Sequence, residues 1–439
     1  MRKGFIFNHN KCVSCNACCA ACILENGWNV QPRNIYTYNS EADVFSPVIN
    51  LSMACNHCEL AVCMKGCPSS ALSRNPVTGA IIIDDTKCIG CRYCQWNCPY
   101  DAPKFDKVTG TIGKCNLCYS GLMEGRQPAC SSACPTGALS FNELSDIENN
   151  AAYSWFPNKK LNPAINFVGI KNQTPLKVIP GTNTIPTDLR QNQKIKNVSG
   201  ELSLIVFSFL ATISVATVIS SFLRSVFPEI ISFILLLFIT GLVSIFHLGK
   251  KFRSWRSVMN LRYSPLSREI ALFILYSSVS CITVILRIPV LLIASSFIGL
   301  ILLLMIDSVY IYADRNKSVI LHSGQTFLSV LIIVPFISGI VLPFIFLALI
   351  KLGLSFYRLI IAKLNAADIG IRFIRIVFLI VPGLSFILLN SQPEKFIIII
   401  FLAGELLDRI LFYIDFNPPN INTQIYEQLN IVSDEKKRY

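Results

Sequence analysis

The stretch "CIGCRYCQWNCPYDAP", residues 88 to 103, spaces four cysteines as C-x2-C-x2-C-x3-C and follows the last with a proline. Three sulfurs on one tight loop, with a fourth before proline, is the arrangement that wraps a [4Fe-4S] cube. Four such groups can be read: Cys12, Cys15, Cys18 and Cys22; Cys55, Cys58, Cys63 and Cys67; Cys88, Cys91, Cys94 and Cys98; Cys115, Cys118, Cys130 and Cys134. Sixteen thiolates suffice for four cubes, the fourth sulfur of a group reaching the neighbouring cube so that groups work in pairs. Zinc sites usually show two separated C-x2-C pairs, and the recurring triple spacing argues against them. Cys19, adjacent to Cys18, is a spare, and Cys281 lies alone in an apolar run as a small core residue. The beginning, "MRKGFIFNHNKC", has neither an apolar signal stretch nor a twin arginine. A reduced, metal-binding use of the cysteines is therefore expected over a disulfide framework.

The cysteine groups form an internal repeat. "CPSSAL", "CPYDAP" and "CPTGAL" end three groups alike, and "NPVTGAIIID" and "DKVTGTIGKC" put a turn-and-strand signal before the next group. From Asn142 to Gly200 the chain is rich in Asn, Pro and Lys, the composition of a linker, although "WFPNKKLNPAINF" has enough aromatic content to pack on a neighbour. Beyond Glu201 the sequence turns apolar. Spans are expected near 202–223, 230–248, 269–286, 289–306, 322–339, 341–362, 371–390 and 396–414, each long enough to cross about 30 Å of hydrocarbon at roughly 1.5 Å per residue. The expected fold is thus an α+β ferredoxin-like iron–sulfur domain, duplicated, over 1–145, an extension packing on it over 146–200, an all-α membrane domain of about eight transmembrane helices over 201–418, and a polar tail over 419–439.

The net charge of +13 divides as +6 up to Gly200 and +7 beyond it, so neither half is basic enough to suggest nucleic acid. In the membrane half, Lys250, Lys251, Arg253, Arg256, Arg262 and Arg268 share one loop, and Lys363, Arg372 and Arg375 surround another. With eight spans both loops and both termini fall on one side, and the positive-inside rule makes that side, with the cysteine domain, cytoplasmic.

The four groups, in this order and with the wider spacing in the last, resemble the iron–sulfur subunit of the dimethyl sulfoxide reductase family and are similar to those of nitrate, polysulfide and formate enzymes. "HLGKKFRSWRSVMNLRYSPLSREI", "VYIYA" and "GELLDRILFY" resemble the membrane anchor of that family, usually a separate chain. The resemblance implies a fusion of the two. It implies a complex of anaerobic respiration in the bacterial inner membrane, in which the anchor oxidises menaquinol, four [4Fe-4S] clusters relay the electrons, and a separate molybdopterin-containing catalytic subunit receives them. It also makes the periplasmic face the alternative for the cysteine domain. Two other functions compete: a dehydrogenase partner reducing quinone through the same wire, and a membrane transporter or sensor with regulatory clusters, against which four cubes in a row argue for conduction.

His247 ends the second expected span and Glu269 starts the third. Oxidising a quinol releases two protons with two electrons, and an imidazole and a carboxylate can accept protons and hydrogen-bond the hydroxyls. With Arg253 to hold the carboxylate or a quinone oxygen, these residues form the expected quinol site, and the basic loop is expected to dock the cysteine domain. Glu405, Asp408 and Arg409 in the last span are expected to be structural, Glu405 pairing with Arg409 four residues on. His247 and His322 are the only histidines of the membrane half, and no haem is expected.

Overall fold

The computed structural model describes residues 2–38, 48–144, 156, 161–168, 200–313, 319–361, 366–389, 394–416, 418 and 421. The chain forms two compact units: Met1–Arg190 with Leu248–Ser264 and Pro418–Tyr439, and Gln191–His247 with Pro265–Asn417. Most of the expected extension over 146–200 and of the tail over 419–439 lies outside the described residues.

In the first unit, strand pairs alternate with cysteine loops. β1 (Lys3–Asn8) leads to the first group and α1 (Ala17–Asn26). β2 (Asn34–Tyr38) and β3 (Ile49–Met53) form an antiparallel pair before the second group, which carries α2 (Val62–Lys65). β4 (Leu72–Arg74) and β5 (Ile81–Ile83) precede the third group with α3 (Tyr93–Asn97), and β6 (Lys104–Asp106) and β7 (Thr111–Gly113) precede the fourth with α4 (Tyr119–Met123) and α5 (Ala129–Ser132). The turns in the β4–β5 and β6–β7 pairs share one chemistry. Asn75 Oδ1 accepts from the N–H groups of Val77 and Thr78 at 2.9 Å, Asp106 Oδ1 accepts from Val108 N at 2.8 Å, and each turn closes on a left-handed glycine, Gly79 or Gly110. An Asn or Asp side chain replaces a backbone acceptor there, and glycine takes positive φ without strain.

β8 (Leu139–Glu143) follows the last group and returns to pair antiparallel with β1, Phe5 opposite Phe141; β9 (Ile165–Val168) pairs with β1 in parallel. Phe5, Phe7, Leu51, Met53 and Phe141 fill the core against the cysteine loops, with Ile421 in the same core. Phe156 stacks on Tyr100 at 5.6 Å.

The second unit has eight described helices: α6 (Leu202–Arg224), α7 (Ile230–Phe246), α8 (Pro265–Leu286), α9 (Pro289–Ala313), α10 (Thr326–Ser338), α11 (Val341–Ile361), α12 (Ala366–Leu389) and α13 (Lys395–Asp415). They lie at the eight expected positions with shifted ends. Prolines start α8 and α9, where the missing N–H goes unused. α10 begins at Thr326 because Asp307 of α9 accepts from Thr326 N and Phe327 N, both at 3.0 Å, so a carboxylate meets the positive helix end.

Among the described residues, five helices are long and apolar enough to cross a membrane: α6, α8, α9, α11 and α12. A sixth results if α7 is counted with the 3-10 helix Lys251–Val258, to which it is bent by 103°. α10 has 13 residues, and α13 carries three ionisable side chains in its middle. The structure therefore gives five to six candidate spans where eight were expected. α6 packs against α7, α9, α10 and α13 through small residues, Ser208, Ala211, Thr212 and Val215 among them, and a Cβ on Gly299 of α9 would stand 2.9 Å from Val215. Small side chains permit such close helix approach where water offers no hydrophobic drive.

Two expectations about charge are corrected. Arg372 and Arg375 are not loop residues: both are buried in α12, where Arg372 pairs with Asp415 at 2.7 Å and Arg375 with Asp408 at 2.6 Å. They no longer count toward sidedness. Glu405 does not pair with Arg409. Lys351 of α11 takes Glu405 at 2.5 Å and Asp408 at 3.3 Å, while Arg409 pairs with Asp307 at 3.3 Å and donates to Ser208 Oγ at 2.9 Å. α13 is surrounded by other helices, so each charge finds a partner across an interface. Removing one member of a buried pair typically costs about 3–5 kcal/mol. Lys351→Met should destabilise the purified protein by that order in thermal unfolding, and adding Glu405→Gln should recover a large part of the loss.

Candidate metal centre

The four C-x2-C loops share a backbone feature that only one of them announces in sequence. The residue before the second cysteine is left-handed in each: Ser14 (φ 57°), His57 (φ 43°), Gly90 (φ 70°) and Leu117 (φ 65°). For leucine or histidine this region is strained by roughly 1–2 kcal/mol and persists only where the surroundings impose it. The three Cys-Pro segments repeat a second feature. Ser70, Asp101 and Gly137 are left-handed, and their N–H groups return to the carbonyls of Cys67, Cys98 and Cys134 at 3.4, 3.2 and 3.2 Å. Backbone N–H groups also point at sulfur: Leu117 N at Cys115, Ala71 N at Cys67 and Leu139 N at Cys134, at 3.3–3.4 Å.

Sulfurs from separate groups meet. One cavity is lined by Cys12, Cys15 and Cys18 together with Cys134 and Pro135. A second is lined by Cys55, Cys58 and Cys63 together with Cys98 and Pro99. Cys22 lies within electrostatic reach of Cys118 and Cys130, and Cys115 of Cys22. Cys67 stands in the same relation to Cys88, Cys91 and Cys94. The first group is thus matched with the fourth and the second with the third. Among the described residues no three His, Cys, Asp or Glu side chains close round a single point as one metal ion needs. Sulfurs spread round a cavity suit a cube, which takes one sulfur on each of four irons. Burial pushes the Cys22 and Cys58 thiols up to about 12 and Cys63 to about 11, so these sulfurs become thiolates only where iron takes the place of the proton. Cys19 is buried against Cys18 and lines neither cavity.

The basic loop Leu248–Ser264 belongs to this unit. Lys250 N donates to Ile89 O at 3.1 Å, and Arg253 Nη1 donates to the carbonyls of Asp85 and Cys88 at 2.5 and 3.2 Å. Asn260 Nδ2 donates to the carbonyls of Lys65 and Cys67 at 3.0 and 2.9 Å, and Ser264 Oγ to Gly66 O at 2.9 Å. Gly90, Gly110 and Gly249 let the backbones touch: a Cβ on Gly249 would stand 2.0 Å from Gly110 O. Asn260 and Ser264 escaped the sequence reading, which weighed only the charges of this loop. Of the expected quinol-site residues, Arg253 lies in this loop, His247 caps the C-terminus of α7, and Glu269 is buried in the second turn of α8.

Residues 47–144 match the family of 4Fe-4S dicluster domains. The protein is 38% identical over 157 residues to a chain of the anaerobic dimethyl sulfoxide reductase of Haemophilus influenzae, across 33% of its own length and 75% of that relative. It is 27% identical over 232 residues to a subunit of the sulfite dehydrogenase of Allochromatium vinosum, across 46% of its own length and 96% of that relative. Protein NrfC of Escherichia coli is 33% identical over 150 residues, a match that covers 33% of the present protein and 67% of NrfC.

The left-handed loops make a measurable demand on residue type. Ser14→Gly should leave the first unit as stable as before or stabilise it by up to about 1 kcal/mol, while Ser14→Val should destabilise it by about 1–2 kcal/mol. Denaturant unfolding followed by tryptophan fluorescence distinguishes the two.

Proposed function

Because the protein belongs to the family of iron–sulfur subunits of anaerobic dimethyl sulfoxide reductase and its relatives, we propose that it is the electron-transfer subunit of a respiratory molybdopterin oxidoreductase, fused to its own quinol-oxidising anchor of about eight spans. In this role electrons from menaquinol reach a separate molybdenum-bearing catalytic subunit through four [4Fe-4S] clusters. The sixteen cysteines hold them in crossed sets: Cys12, Cys15, Cys18 and Cys134; Cys22, Cys115, Cys118 and Cys130; Cys55, Cys58, Cys63 and Cys98; Cys67, Cys88, Cys91 and Cys94. The observation that carries the proposal is the grip of the loop Leu248–Ser264 on the carbonyls of Cys67 and Cys88. This loop joins α7 to α8 along the chain and, within the first unit, is bound to the loops of one cysteine set through six carbonyls. Electrons from the membrane half enter at that set. At the other end Cys15 is exposed beside Val13, itself 65% exposed, which suits the exit toward a partner.

His247 and Glu269 accept the protons that quinol releases, and Arg253 holds the loop on the cluster domain. Placing that domain on the cytoplasmic face of the inner membrane rests on Lys250, Lys251, Arg253, Arg256 and Arg262 of the basic loop and on Arg268, which the structure puts in the first turn of α8, with the periplasmic face as the alternative.

The anaerobically purified protein should hold about sixteen iron atoms, four for each cube. Cys98→Ser should remove the cluster of Cys55, Cys58 and Cys63 while the sulfurs of its own loop, with Cys67, keep theirs. Loss of the Cys88 cluster alone would mean that the sets are not crossed.

Glu269→Gln keeps size and hydrogen bonding but removes the proton acceptor. It should slow reduction of the clusters by a menaquinol analogue about tenfold or more, with dithionite reduction and iron content unchanged. Unchanged quinol oxidation in both Glu269→Gln and His247→Ala places the quinol site elsewhere.

A further inference from the structure

Two cationic side chains are buried among the cysteine loops of the first unit, Arg33 at 1% and Lys114 at 3% exposure. Arg33 Nη1 donates to Ser52 Oγ at 3.0 Å, and Ser52 Oγ lies 3.4 Å from Cys18 Sγ. The guanidinium carbon stands 4.6 Å from the centre of the Phe5 ring, and Nε and Nη2, shielded from solvent, have among the described residues no partner other than the Cys130 sulfur. The sulfurs of Cys130, Cys115, Cys18 and Cys22 lie within electrostatic reach of Arg33. Lys114 Nζ donates to Cys55 Sγ at 3.5 Å, to Cys115 O at 2.8 Å and to Ile81 O.

A buried charge without an opposite charge is strongly unfavourable, and so is a buried donor left unpaired. Arg33 is in both positions unless the sulfurs around it carry charge. A cube on four thiolates is an anion and gains one further negative charge on reduction, so nearby charge and burial set its potential. A fixed cation in a weakly polarisable interior favours the reduced form most. Arg33 faces two of the crossed sets, through Cys18 on one side and Cys22, Cys115 and Cys130 on the other. Lys114 touches Cys55 of a third set and the carbonyl of Cys115. The set of Cys67, Cys88, Cys91 and Cys94 has neither cation; Arg253, which reaches Cys88 O, and Arg92, which lies over the Phe105 ring at 4.2 Å, are only half-buried and are screened by solvent.

We propose that Arg33 and Lys114 are potential-setting residues, each shared by two neighbouring clusters, that raise the reduction potentials of three clusters above that of the cluster held by Cys67, Cys88, Cys91 and Cys94. This rests on the ligand sets assigned above. Its consequence is directional: an electron entering at the loop-held set meets better acceptors further on.

The test is a redox titration of the full-length anaerobic protein followed by EPR, with each signal assigned by a Cys→Ser variant of its own loop. Arg33→Met should lower the midpoints of the two clusters it faces by about tenfold in the ratio of reduced to oxidised cluster, about 59 mV for one electron. Arg33→Lys should keep most of the wild-type value. Lys114→Met should lower the clusters of Cys55 and Cys115, and the cluster of Cys67 and Cys88 should hold its midpoint in every variant. Full iron content with unmoved midpoints in Arg33→Met and Lys114→Met overturns the proposal and leaves the relay intact. If Arg33→Met loses iron, Lys114→Met read in the same way decides. A wild-type protein short of four cubes defeats the ligand sets themselves, which separates the two failures.

Discussion

Cys134 and Cys98 line cavities whose other sulfurs come from the first and second cysteine groups, and this crossing ties the first unit together. The sheet of β8, β1 and β9 brings the segment after Cys134 back beside the segment before Cys12, with Leu139 opposite Phe7. The strand pairs between groups are short, three to five residues each, and too small to fold as independent hairpins. What fixes them is the loops at their ends. Those loops are themselves held in left-handed turns at Ser14, His57 and Leu117 that an isolated chain would avoid. Local strain of this kind is tolerable where many sulfurs share one bound group, since the free energy of ligation is then also folding free energy.

Much of this unit was legible because its signals are local. The C-x2-C-x2-C-x3-C spacing, the Asn75 and Asp106 turns and the prolines after Cys67, Cys98 and Cys134 are all readable within about ten residues of chain. Which cysteine groups come together was not legible, because it is set by strand pairing across the whole unit. Left-handed backbone at Leu117 leaves no trace in residue type, whereas Gly90 at the equivalent position does. Arg33 gave no signal either: an arginine between a proline and an asparagine reads as solvated surface, and only its burial under Phe5 and the cysteine loops makes it unusual.

In the second unit, hydropathy located the eight described helices but misread the charges on them. An apolar window registers how many charges a segment carries and says nothing of their partners. Arg372 and Arg375, near the start of a span, looked like loop residues; the helix begins earlier, at Ala366, and both are buried against carboxylates of α13. Glu405 and Arg409 have the spacing for a pair along one helix, yet an exposed pair of that kind contributes only about 0.2–0.5 kcal/mol. Pairing them with each other would take Glu405 from Lys351 and Arg409 from Asp307, and satisfying all four across interfaces is the better solution in an interior without water. Such pairing also defines which helices are neighbours, since apolar surfaces alone match many arrangements.

The loop Leu248–Ser264 unites the two halves of the sequence in a way that composition could only half anticipate. Its charges suggested orientation and docking, but of six bonds it makes to the cysteine loops three come from the neutral side chains of Asn260 and Ser264, one from a backbone N–H and two from Arg253. The acceptors of these six bonds are backbone carbonyls, so the bonds depend on the shape of the cysteine loops. Those shapes in turn depend on the left-handed turn at Gly90, where a Cβ would stand 2.3 Å from Gly110 O and 2.9 Å from Gly249. At this position the glycine serves both the turn of the cysteine loop and the approach of Gly249, which is why the Gly90 loop, alone of the four, cannot carry a side chain there without displacing a neighbouring backbone.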